Sequence, residues 1–111
     1  MYSYSIIFAP YGSKDNIVPL FNADDRSLSI LANICFGTTI PEQVLETIDR
    51  AIGSGTEPFD LDTRFCSLSV GLKETSIHNK RPGSVNHATV DTIELRETIV
   101  DWIRRMHNDR M

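Results

Sequence analysis

The 111-residue chain has no run of 18 or more apolar residues, which excludes a membrane-spanning helix. Its N-terminus, MYSYSIIFAPYG, lacks the basic start and long apolar centre of an export signal, so an unexported, cytosolic protein is expected. Cysteine is scarce. Cys35 and Cys66 could pair with each other, but in an ordinary core composition they are expected to be reduced, small buried hydrophobes. Positive charge is also in deficit, with 11 Lys and Arg against 15 Asp and Glu, a formal net charge of -4. That balance argues against nonspecific nucleic-acid binding and for a basic partner. Internal repeats, low-complexity segments and interdomain linkers are absent too, and the length fits one domain, residues 1–111.

The signatures of common chemistries are likewise missing. No CxxC or HxxxH presents metal ligands, so Cys35, Cys66, His78 and His87 do not form a recognisable metal set. Gly53-Ser54-Gly55 has no following lysine and comes after a helix pattern, which makes it a helix stop rather than a phosphate cradle. No GxSxG elbow occurs among the serines. No cofactor and no catalytic set are therefore expected.

What remains is an ordinary folding composition, 41% hydrophobic and 23% charged. The stretch FCSLSVGLKETSI, Phe65 to Ile77, alternates Cys66, Leu68, Val70 and Leu72 with Ser67, Ser69, Gly71 and Lys73, which predicts one half-buried strand. Tyr2, Tyr4, Ile6 and Phe8 predict a second strand ended by Pro10 and Gly12. Ser13 to Ala23, with Pro19, reads as a connection. Asp24 or Asp25 can cap a helix running to Phe36, with Leu28, Leu31, Ala32 and Cys35 as its stripe and Gly37 as its stop, although Leu28, Ile30, Ala32 and Ile34 also alternate as in a strand. A second helix begins at Pro41, buries Val44, Leu45, Ile48, Ala51 and Ile52, and stops at Gly53 to Gly55. Pro82-Gly83 suits the centre of a hairpin turn, with a return strand at Val85 to Val90. Asp91 and Glu94 then resemble a capping box opening a last helix that buries Leu95, Ile99, Trp102, Ile103 and Met106. The sum is an α+β fold: an antiparallel sheet of about four strands with about three helices packed mainly on one face.

Two regions are candidates for function. His78, Lys80 and His87 flank the hairpin turn, and such a set can serve as acid, base and phosphate ligand in ribonuclease-like chemistry. The second is acidic. From Glu42 to Asp62 six acids (Glu42, Glu46, Asp49, Glu57, Asp60, Asp62) face one base, Arg50, while Arg104, Arg105 and Arg110 gather at the other end. In the turn EPFDLD, Glu57, Asp60 and Asp62 surround Phe59 and Leu61, the composition either of an apolar anchor ringed by charge or of a loop that drops Phe59 and Leu61 into the core and leaves the acids solvated.

A small, acidic, unexported domain without a catalytic set and with such a stretch resembles the immunity proteins of bacterial contact-dependent growth inhibition and related toxin systems. The resemblance is one of size, charge and missing motifs over the whole chain, and it transfers no functional residue. It implies a protein that is not an enzyme, binds one cognate toxin, often a nuclease, and blocks its active site or substrate access, with no nucleic acid or membrane as partner. On charge and apolar content the residues expected at that interface are Glu57, Phe59, Asp60 and Asp62. A small enzyme using the hairpin histidines and a non-catalytic adaptor subunit are the alternatives.

Overall fold

The computed structural model describes residues 1–11, 13–35, 41–55, 59–80 and 85–109. In chain order they form β1 (Tyr4–Tyr11), β2 (Ser13–Ala23), a 3-10 helix (Arg26–Asn33), α1 (Pro41–Ser54), β3 (Phe59–Asp62), β4 (Cys66–Val70), β5 (Glu74–Asn79), β6 (His87–Asp91) and α2 (Thr92–Asp109). β3, β4, β5 and β6 make an antiparallel sheet in sequential order, and β1 pairs with β2 in a separate ribbon. The fold is α+β, as expected, but the N-terminal strand belongs to the ribbon and not to the main sheet.

Three expectations are corrected. Phe65 to Ile77 is not one strand: the chain reverses after Val70, and the Gly71 N–H donates to the Glu74 carbonyl at 3.0 Å across the turn. A Cβ on Gly71 would stand 2.8 Å from that same oxygen, so glycine is required by close approach. Leu72, expected in the core, sits at the turn 44% exposed. Ser13 to Ala23 is not a connection but β2, in register with β1 from Tyr4 opposite Ala23 to Pro10 opposite Ile17. A two-stranded ribbon leaves each strand one edge without a ladder, so the missing N–H groups of Pro10 and Pro19 are tolerated there. The acidic turn, finally, is strand from Phe59 onward.

The helices follow their capping signals. Asp25 accepts hydrogen bonds from the Ser27 N–H at 3.0 Å and the Ser27 hydroxyl at 2.8 Å, which fixes the start of the 3-10 helix. Ile30, Leu31, Ile34 and Cys35 are its buried residues and followers, and Leu28 and Ala32 are half-buried. Phe36 and the expected stop at Gly37 lie outside the described residues. α1 buries Pro41, Val44, Ile48 and Ala51 while Leu45 is only half-buried and Ile52 is exposed. Gly55, at φ +64°, ends it by donating to the Ala51 carbonyl at 3.2 Å. The Asp91 carboxylate accepts from the Glu94 N–H at 2.9 Å and so caps α2. The Pro82-Gly83 turn lies outside the described residues, but its two strands, β5 and β6, pair as a hairpin should.

The three helices lie against one face of the main sheet: α1 on β3 and β4, the 3-10 helix on β5 and β6, α2 on α1 and β6. Cys66, Leu68, Val70, Ile77, Ala88 and Val90 from the sheet meet Ile48, Leu95, Ile99 and Trp102 in one contiguous core. Trp102 anchors the ribbon to it, 6.1 Å from the Tyr4 ring and 6.0 Å from Phe21, with Tyr4 and Phe21 stacked at 4.4 Å. Tyr4 also donates to Asp101 at 2.6 Å and lies 4.8 Å beneath the Arg105 guanidinium. Burial and the Asp101 bond push the Tyr4 hydroxyl well above its ordinary range. Away from this anchor the ribbon exposes Ile7, Phe8 and Ile17. Among the described residues no helix is long and apolar enough to cross a membrane.

Candidate protein-binding face

Helices cover one face of the main sheet, and strand alternation puts the polar residues on the other. On β3, Phe59 and Leu61 are half-buried against the core while Asp60 and Asp62 are exposed. The register then carries this polarity across four strands. Asp62 stands opposite Ser67, Ser67 opposite His78, and His78 opposite His87. A neighbouring row runs Asp60, Ser69, Ser76, Thr89. Every side chain in the two rows is short or polar, so the face is flat apart from a concavity of 290 Å³ lined by Asp60, Leu61, Asp62, Ser67, Leu68, Ser69 and His78.

The two expected aspartates differ in their surroundings. Asp62 accepts a 2.7 Å hydrogen bond from the Ser67 hydroxyl and stands 3.4 Å from the Lys80 ammonium. The Ser67 bond first, and Lys80 second, hold its carboxyl below the ordinary carboxylate range. Lys80 is committed locally, donating also to the Thr63 carbonyl at 2.8 Å. The Asp60 carboxylate, on a strand whose backbone pairs with β4, has no hydrogen bond or ion pair among the described residues. Elsewhere in the acidic region two acids are paired within the chain: Glu46 with Arg50 at 2.8 Å, and Asp49 with Arg96 at 2.6 Å. On β3, then, Asp62 is engaged by Ser67 and Lys80 while Asp60 is the open carboxylate at the sheet edge.

Of the four residues expected at an interface, Asp60 and Asp62 share one exposed face and Phe59 lies on the opposite side of the same strand. Strand geometry separates the apolar side chains from the acids that neighbour them in sequence. Glu57 lies outside the described residues.

The histidines do come together. His78 and His87 are directly opposite each other, both exposed, with ring centroids 4.5 Å apart and planes tilted by 43°. His78 stands four residues before Pro82 and His87 four after Gly83, the symmetric spacing that a two-residue turn converts into a cross-strand pair. Cys35 and Cys66 are both free and buried in the core. Burial pushes both thiols above their ordinary range. Cys66 accordingly belongs to the far side of the sheet from the histidines, and among the described residues no group of three or more His, Cys, Asp or Glu side chains converges on one point.

Comparison with known proteins finds no matching family model, no similar curated protein and no similar solved structure.

Proposed function

We propose that the chain is a non-catalytic inhibitor that binds a basic protein partner through its exposed sheet face, in the manner of an immunity protein neutralising a nuclease-type toxin in the cytoplasm. The observation that supports this reading is the pair Asp60 and Asp62 on β3. They are side by side on an exposed edge strand, about 6.7 Å apart along it, and backed by a flat surface of serine, threonine and histidine. A nuclease that grips phosphate must carry a basic cleft, and carboxylates displayed on a rigid strand meet those cations without first being ordered. The rigidity comes from Phe59 and Leu61, which hold the strand to the core from behind.

The ribonuclease-like alternative needs its acid and base on opposite sides of a phosphate. Rings 4.5 Å apart are in contact with each other and leave no such gap.

The reading predicts a secreted-toxin gene beside this one, and it is tested by co-expressing the two and by incubating the purified protein with RNA and DNA. Restored growth, co-purification with the toxin domain and no cleavage are expected. Robust cleavage that disappears in His78→Ala or His87→Ala would reverse the assignment.

A further inference from the structure

From the cross-strand pair we infer that His78 and His87 form a two-imidazole chelate for a divalent transition ion with tetragonal preference, Cu²⁺ or Ni²⁺. Imidazole is a good ligand for these ions, and directly opposed residues on antiparallel strands present their side chains to the same point above the sheet. The 4.5 Å spacing of the ring centroids is close to that of two imidazoles held cis on one metal. With a metal–nitrogen distance of about 2.0 Å and a centroid about 1.1 Å behind its nitrogen, two rings at a right angle about one metal have centroids about 4.4 Å apart. A tetrahedral angle, the preference of Zn²⁺, spreads them to about 5.1 Å.

Orientation and access agree with this. Rings stacked in parallel planes could not aim their in-plane lone pairs at one point, whereas planes tilted by 43° can. Neither imidazole is hydrogen-bonded among the described residues, and both are exposed, so binding breaks no existing contact and water fills the remaining positions. The next acid in the row, Asp62, is two strands from His78, about 9.6 Å away backbone to backbone, and its carboxylate is already engaged by Ser67 and Lys80. The site therefore has two protein ligands, and it closes the β5–β6 hairpin.

The test is calorimetric titration of the untagged full chain with NiCl₂ and with CuCl₂ in a non-coordinating buffer, repeated for His78→Asn, His87→Asn and the control His107→Asn. One ion per chain is expected, with affinity lowered at least tenfold by either hairpin variant, unchanged by the control, weaker for Zn²⁺, and falling with pH because a ligating imidazole must be neutral. Hydrogen-exchange protection of Ile77 and Ala88 should rise with bound metal in the wild type only. Binding that survives in the His78→Asn/His87→Asn double variant would assign the ion to the N-terminal amine or another group and overturn the proposal.

Discussion

Thr92, where β6 gives way to α2, offers a worked stability prediction. Its hydroxyl donates to the Gly71 carbonyl at 2.8 Å and lies 2.8 Å from the Thr75 hydroxyl, and both threonines are fully buried. A hydroxyl has one proton, and Thr92 spends it on Gly71, so Thr75 must be the donor between the two. Thr92→Val keeps the shape but removes the acceptor of Thr75 and the donor to Gly71. Leaving the buried Thr75 hydroxyl unsatisfied costs about 1–3 kcal/mol, and the lost Gly71 bond adds about 1 kcal/mol, for a total of about 2–4 kcal/mol. Thr75→Val leaves the Thr92–Gly71 bond in place and should cost only about 1 kcal/mol. The double Val variant has no orphaned hydroxyl, so it should be less destabilised than the two singles added together. Urea denaturation of the four proteins at constant m measures each value. If Thr75→Val costs as much as Thr92→Val, or the two effects simply add, the assigned direction of the network is wrong.

Two further outcomes follow from burial and charge. Cys35 and Cys66 should react slowly with a thiol reagent in the folded protein and yield two equivalents on denaturation without reductant; one fast-reacting thiol in the native state would contradict their burial. Asp25 and Asp62 are held below the ordinary carboxyl value of 3.8, chiefly by the hydroxyls of Ser27 and Ser67. The unfolded chain therefore takes up protons first, and the stability these carboxylates contribute is present above about pH 4 and lost as pH falls through their lower folded values. Asp25→Asn, which caps without titrating, should flatten the acid limb of the stability curve, and an unchanged limb would show that the cap does not contribute to it.

The parts of the fold that were legible in the sequence are those with local chemistry at their ends. The Pro41 start and Gly55 stop bound α1, Asp91 caps α2, and the symmetric setting of Pro82-Gly83 marks the β5–β6 hairpin. The β4–β5 reversal was hidden because alternation continues through it. Its trace is a change of phase: Cys66, Leu68 and Val70 point inward at even positions, Thr75 and Ile77 at odd ones. β2 was illegible for a different reason, since Pro19 and the lack of a sustained period argue against a strand until the pairing with β1 exists. At the candidate face the outward direction of Asp60 and Asp62 was implicit in their alternation with Phe59 and Leu61. What no local pattern states is that this strand ends a sheet whose outer face is polar throughout.

The claim that this face meets a basic partner rests most directly on Asp60 and Asp62, and the rate of association measures it. The doubly charge-reversed variant Asp60→Lys/Asp62→Lys should still fold, because both side chains are exposed and only the surface contacts of Asp62 with Ser67 and Lys80 are lost, and should associate with the toxin domain at least about tenfold more slowly at low salt, with a flatter dependence on ionic strength. A folded variant that associates at the wild-type rate and protects cells equally well would place the interface elsewhere.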